Sequence, residues 1–121
     1  SIVAYELCSS IRNNRELVDE NNPDVYDALA KKYLNIGCAC MMNNDKRIQL
    51  IDELIEEFKI DGVIDIALQS CHPFNVESNR IKEFVVNDKK IHYMAIETDY
   101  SQSDTEQLRT RFEAFIEMIE S

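Results

Sequence analysis

Glycine and proline are scarce, two of each in 121 residues. That scarcity excludes collagen-like and low-complexity chains. The glycines, Gly37 and Gly62, stand alone. No glycine-rich loop can therefore cradle a phosphate, and a nucleotide fold of the usual kind is unsupported. No apolar run approaches the roughly 18 residues that a membrane-spanning helix needs, so no membrane partner is expected. Positive charge is in deficit: 13 Lys and Arg face 23 Asp and Glu, for a formal charge of −10. Nucleic-acid backbones and anionic bilayers repel such a surface, and no nucleic acid is expected as a partner. There is no C-x-x-C pair, so a zinc ribbon is unsupported. The chain opens Ser1-Ile2-Val3-Ala4-Tyr5, without initiator Met or basic n-region, which does not read as a signal peptide. A strand starting at residue 2 with no lead-in suggests a piece of a longer protein.

What is present is one domain's worth of chain with 45% hydrophobic residues, enough for a packed core. Short apolar runs alternate with helical periodicity. Residues 2–7 read as a buried strand, and residues 8–22 as a polar loop. Asn22-Pro23-Asp24 fits an N-cap followed by proline, opening a helix to about Leu34 with Val25, Tyr26, Leu29 and Tyr33 on one face. Gly37 suits a helix stop. The run Cys38-Ala39-Cys40-Met41-Met42 reads as a buried loop or a small strand.

Asn44 caps a helix over about 45–59, with Ile48, Ile51, Ile55 and Phe58 inward and Leu54 beside them. Its Glu53, Glu56 and Glu57 form a solvated face. A second strand spans 63–68, a helix about 74–86, and a third strand 91–96. Ser103 and Glu106 match a capping box for a last helix over about 104–119, with Leu108, Phe112, Phe115, Ile116 and Ile119 buried. The expected fold is α/β: a flavodoxin-like, three-layer domain over 1–121 whose short parallel sheet is covered by helices on both faces. Three strands are few for such a sheet, which suggests that upstream neighbours are missing and an edge is left open.

In open α/β sheets ligands bind beyond the carboxyl ends of the strands. Cys8-Ser9-Ser10, Gln69-Ser70-Cys71-His72 and Glu97-Thr98-Asp99-Tyr100-Ser101 occupy those positions. The four cysteines, Cys8, Cys38, Cys40 and Cys71, are expected to be reduced thiols in a cytoplasm rather than disulfides. The plainest reading makes them small buried hydrophobes; a metal site comes second and a catalytic thiol last. Extended backbone at Cys38-Ala39-Cys40 would place the two thiols on opposite sides, so one can ligate while the other packs. Four thiols with few histidines suit an iron–sulfur cluster better than catalytic zinc. His72 reads as a helix-start polar residue rather than the partner of Cys71, and His92 as a residue of the third strand that packs or reaches an edge. Glu97 and Asp99 are either acid/base groups or acceptors for the next helix's donors. Ser70, His72, Glu97, Asp99 and Ser101 are pocket candidates with no catalytic step assigned.

The runs Asp61-Gly62-Val63-Ile64-Asp65, Leu68-Gln69-Ser70-Cys71-His72, Ile96-Glu97-Thr98-Asp99-Tyr100-Ser101 and Gln107-Leu108-Arg109-Thr110-Arg111-Phe112-Glu113-Ala114-Phe115 carry a family resemblance. In that order they resemble the C-terminal region of the 2-hydroxyacyl-CoA dehydratase D-component family, which includes benzoyl-CoA reductase subunits. The resemblance implies two flavodoxin-like domains in the full subunit, with an iron–sulfur cluster between them and Cys71 as a ligand just after a strand. The other ligands of a dehydratase cluster would come from the N-terminal domain. An ATP-hydrolysing iron–sulfur activator protein would deliver the electron, and a homologous second subunit is a further partner.

The additional Cys8, Cys38 and Cys40 look more like the branch that holds a double-cubane cluster. On that reading Cys8, Cys71 and one of Cys38/Cys40, with Cys40 preferred, hold one cubane, and the protein is a reductase of small molecules. The first rival is the dehydratase proper, which removes water from an (R)-2-hydroxyacyl-CoA through a ketyl radical on a [4Fe-4S] cluster. The second is a non-catalytic interaction domain with packed cysteines. The piece by itself is expected to hold no cluster and to be inactive.

Overall fold

The computed structural model describes residues 1–41 and 43–121; Met42, in the apolar run 38–42, lies outside the described residues. The chain forms two compact units, Ser1–Lys59 and Ile60–Ser121. Together they make a small mixed α/β protein.

The first unit is helical. Residues 1–10 carry no regular structure, and Ile2, Val3, Tyr5 and Leu7 are exposed. The expected buried strand over 2–7 is therefore absent. A strand needs a partner for its ladder, and among the described residues the only pairing lies in the second unit. The residue drawn inward here is Glu6, held by Arg12 and Arg47. The polar stretch that follows contains one helical turn, α1 (Ile11–Asn14).

Helix α2 (Val25–Leu34) starts two residues later than the Asn22 cap implies. Asp24 is the cap: its carboxylate accepts from the backbone N–H of Tyr26 and Asp27 at 2.9 and 3.2 Å. Asn22 instead accepts from the Asp24 N–H, which sets the approach to the helix. The expected inward face is wrong for this helix. Val25, Tyr26, Leu29 and Tyr33 are exposed and Ala28 is buried.

Helix α3 (Asp45–Phe58) follows its apolar periodicity, with Ile51, Leu54 and Ile55 buried and Lys59 closing it in the left-handed region. Phe58 is exposed, and Arg47 takes an unexpected buried position. Arg15 reaches Glu53 and Glu57 on the solvated side of α3 at 3.1 and 2.8 Å.

The second unit follows the alternation of strand and helix. Strand β1 (Gly62–Leu68) leads to α4 (His72–Glu83), then to a wide turn of π-helical form (Phe84–Asp88), and then to β2 (His92–Thr98). Helix α5 (Thr105–Glu120) completes it. The strands are parallel and in register from Gly62↔His92 to Leu68↔Thr98. A parallel pair needs a crossover, and α4 supplies it.

Residues at alternate positions share a sheet face. On one face Tyr93 donates to Asp65 at 2.9 Å and to the Ser78 carbonyl of α4 at 3.1 Å. On the other face Gly62 lies under α5, where an added Cβ would come within 2.7 Å of Ile119 and 2.9 Å of Phe115. Helices thus cover both faces, but unevenly. Ile64, Ile66 and Leu68 share the α5 face and remain exposed, Ile66 at 53%. Among the described residues the sheet has two strands, not the three expected, because residues 2–7 do not join it.

The α5 stripe of Leu108, Phe112, Phe115 and Ile119 turns inward, while Ile116 is exposed. The capping box does not form. Asp104 is the N-cap, and Ser103 instead pairs its hydroxyl with that of Ser101. From the same helix Arg111 Nη2 donates to the Ala95 carbonyl of β2 at 2.6 Å. Among the described residues no helix is long and apolar enough to cross a membrane.

Gly62 therefore serves packing rather than an unusual backbone angle. Gly62→Val should cost about 1–3 kcal/mol by forcing Ile119 and Phe115 out of place. A lowered thermal or urea midpoint would register it, and an unchanged midpoint would contradict the close approach.

Candidate functional site

Three of the four cysteines lie in the first unit, and all four are free thiols. Their arrangement begins with Glu6. Arg12 donates to both Glu6 oxygens, from Nε to Oε1 and from Nη2 to Oε2, the latter at 2.7 Å. Arg47 of α3 donates to Oε2 of the same carboxylate through Nε at 3.2 Å and Nη2 at 3.0 Å. Both arginines are 5% exposed. This ion triad ties the irregular residues 1–10 and α1 to α3. Burial works against the Arg12 charge, but the Glu6 hydrogen bond and charge, with Cys8 and Cys38 nearby, outweigh it and hold the guanidinium protonated more firmly than usual.

Arg12 also holds Cys8. Its Nη1 donates to Cys8 Sγ at 3.3 Å, and Asn13 Nδ2 donates to the Cys8 carbonyl. The Ser10 hydroxyl accepts from the Leu7 N–H at 3.0 Å, closing the turn that carries Cys8.

Cys38 and Cys40 are brought together by a second turn, in which the Met41 N–H donates to the Cys38 carbonyl at 2.8 Å. Extended backbone would have sent the two thiols to opposite sides. The turn instead places the Cys40 thiol 3.3 Å from Cys38 Sγ, donating to it. That hydrogen bond, then the charge on Cys38 and a little desolvation, push the Cys40 thiol above its ordinary pKa.

Gly37 makes the approach possible. An added Cβ there would lie 2.7 Å from the Arg47 backbone nitrogen. Its φ is not positive, so its role is close contact rather than the left-handed helix stop expected for it. The exposed Cys8 and the half-buried Cys38 lie near one guanidinium, and the exposed Cys40 is bonded to Cys38.

The fourth cysteine belongs to the second unit. Cys71 follows β1 directly and stands at the N-cap of α4, half-buried. Its N–H donates to the Leu68 carbonyl at 2.9 Å, and Pro73 sits in the first turn of α4. Ser70 adopts φ +65, the left-handed region that a non-glycine residue occupies only when its surroundings require it. His72 is exposed at the helix start.

At the end of β2, Glu97 is exposed in the strand itself. Asp99 accepts from the Ser101 N–H at 2.7 Å, and bonding to the Ser101 hydroxyl and N–H lowers its pKa. Thr98 donates to Asp104 Oδ2 at 3.0 Å. Asp99 and Ser101 thus order the β2–α5 loop, and the described Asp99 bonds go to that loop rather than to the donors of α5. Ser70, Cys71 and His72 share the carboxyl end of β1 with this loop, since Leu68 pairs with Thr98 and the Gln69 N–H donates to the Thr98 carbonyl at 2.7 Å.

The chemistry available to the first unit's thiols is that of soft ligands and of thiol–disulfide exchange. Among the described residues, no three His, Cys, Asp or Glu side chains close around a common point as a metal site. Two thiolates on one tetrahedral metal stand about 3.8 Å apart, from a metal–sulfur bond of about 2.3 Å. Cys38 and Cys40 are closer than that, so shared ligation would require them to spread. Glu6, Arg12 and Arg47 carried no signal in the sequence. Glu6 sat inside an apparent strand, Arg12 in an apparent loop, and Arg47 at a helix position where a charge is usually solvated.

Replacing Glu6 by Ala leaves two buried guanidinium groups without this carboxylate, and should cost about 3–5 kcal/mol. Arg12→Met should be milder for stability but should slow alkylation of Cys8 measured by peptide mapping, because the sulfur anion that attacks the reagent loses the neighbouring guanidinium charge. Gly37→Ala should lower stability by about 1–3 kcal/mol, since the obstacle is α3 backbone rather than a flexible side chain. A Gly37→Ala protein with unchanged stability would contradict that contact.

The 2-hydroxyglutaryl-CoA dehydratase D-component family matches residues 1–119. "Putative dehydratase subunit YjiM" of Escherichia coli (strain K12) is 50% identical over 118 residues, covering 98% of this chain and 30% of its own length. The (R)-phenyllactyl-CoA dehydratase beta subunit of Clostridium sporogenes is 31% identical over 120 residues, covering 98% of the chain and 32% of its own length. The chain therefore spans about a third of these relatives. With nearly every residue inside the family match, this chain belongs to the 2-hydroxyglutaryl-CoA dehydratase D-component family.

Proposed function

We propose that this chain is the C-terminal cysteine-bearing part of a two-domain iron–sulfur subunit that serves ATP-driven, low-potential reduction. The observation that carries the reading is that Arg12 faces Cys8 and Cys38 while Cys40 is hydrogen-bonded to Cys38, all within the first unit. Three thiols in one small unit are the right donor set for an iron–sulfur cluster. A guanidinium next to them offsets the negative charge that thiolates bring.

Cys8, Cys71 and Cys40 would supply ligands, with Cys38 as the substitute for Cys40, and the remaining ligands would come from the N-terminal domain. When bound, the cluster supplies a single electron at low potential. This chain's residues hold it, orient its ligands and shape its surroundings. Arg12 fixes the Cys8 sulfur, Gly37 lets the Cys38–Cys40 turn lie against α3, and the ordered 98–104 loop with Ser70, His72 and Glu97 borders Cys71.

The partners that fit are an ATP-dependent iron–sulfur activator protein, a homologous second subunit, and an acyl-CoA or other small substrate in the cytoplasm. A second reading, a dehydratase that removes water from a 2-hydroxyacyl-CoA, is favoured by the similarity to the Clostridium sporogenes protein.

Iron and sulfide analysis of the full-length protein, purified without oxygen, separates the readings. About eight irons per subunit favour the double cubane, about four the dehydratase, and none sinks both. Cys71→Ala should abolish cluster absorbance while leaving far-UV circular dichroism intact. Normal iron content in that variant would refute its ligand role.

A further inference from the structure

We propose that Cys38 and Cys40 form a reversible redox pair, a dithiol that closes to an intramolecular disulfide when no metal holds it. Nothing in the family match or in the relatives' names assigns such a modification. The pairing itself stands on the turn geometry alone. Its consequence for cofactor loading rests on the function proposed above.

The geometry favours closure within the turn. The Met41 N–H to Cys38 carbonyl bond folds residues 38–41 back on themselves, and the two sulfurs stand 3.3 Å apart. A disulfide requires a further approach to about 2.05 Å, with the Cβ atoms about 3.5–4.5 Å apart. Only Ala39 lies between the two cysteines, so little chain entropy is spent on closure. Access is also suitable, because Cys40 is exposed and Cys38 half-buried behind it. Cys8 is held separately by Arg12, which leaves the pair to react with each other.

The oxidant required is a low-molecular-weight disulfide of the glutathione class. The exposed Cys40 sulfur, giving its proton to solvent, attacks one sulfur of that disulfide. The oxidant's S–S bond breaks, one small thiol leaves, and a mixed disulfide remains on Cys40. Cys38 then gives up its proton and attacks the Cys40 sulfur, forming the Cys38–Cys40 bond and releasing the second small thiol. Two electrons and two protons pass from the dithiol to the oxidant, which leaves as two thiols. In the closed state neither sulfur is a thiolate, so neither can ligate a cluster. Oxidation would thus withhold a ligand until a reductant reopens the pair.

The test uses the full-length protein, freed of metal with a chelator and equilibrated in glutathione buffers from reducing to oxidising. Free thiols are then alkylated and the protein is digested with trypsin. The peptide from Tyr33 to Lys46 contains Cys38 and Cys40 and no other cysteine. The expected product is that peptide without alkyl groups and lighter by about 2 Da, the two lost hydrogens. Dithiothreitol should restore the doubly alkylated form. Cys38→Ser should convert the product to a stable mixed disulfide on Cys40.

Two results would overturn the pairing. One is full alkylation of both cysteines in the oxidising buffer; the other is a cross-link from either one to Cys8 or Cys71. Iron uptake, measured on reduced and oxidised protein, tests the consequence separately. Uptake by the reduced form alone supports gating, and equal uptake by both forms refutes it. A disulfide that forms in a protein taking up no iron in either state would leave the redox pair standing and remove the cluster reading.

Discussion

One carboxylate organises the first half of this protein. Glu6 accepts from two buried guanidinium groups, and the thiol-bearing segments of that unit meet one or other of these arginines. Arg12 reaches Cys8 directly, and the backbone of Arg47 is what the Cys38–Cys40 turn abuts through Gly37. Residues 1–10 have neither helix nor strand to fix them, so a buried ion cluster does the work that a hydrogen-bond ladder does elsewhere. Such a cluster is costly to desolvate and punishing to break. It specifies one arrangement of the chain more than it adds net stability.

The second unit was legible because local and global signals agree there. Val63–Leu68 is a largely apolar, β-branched run and His92–Ile96 a largely apolar one, both bracketed by turns, and they pair in register with each other. Cys71 fell where an α/β sheet places functional residues, immediately beyond a strand. The family resemblance, carried mainly by residues of this unit, was also the part that the family match established outright.

The first unit was less legible for identifiable reasons. The apolar letters of 2–7 are those of a strand, but strand formation depends on a partner that sequence does not name. In α2 the aromatic residues suggested an inward face, and the small Ala28 took that place instead. At Cys38-Ala39-Cys40 the alternation rule assumed extended backbone, and one 2.8 Å hydrogen bond reversed which way the sulfurs point. Asp24 displaced Asn22 as the cap of α2 because its carboxylate reaches the Tyr26 and Asp27 donors, whereas Asp104 holds the cap position of α5 with its carboxylate turned to the Thr98 hydroxyl.

The grip of Arg111 on the Ala95 carbonyl gives the two borders of the sheet different characters. A stranger strand arriving along β2 must first evict a guanidinium from a main-chain acceptor. Among the described residues, one arriving along β1 meets no such guanidinium, and Ile64, Ile66 and Leu68 are exposed on the adjoining face. The two borders of the β-layer therefore differ in how readily they would accept a further strand.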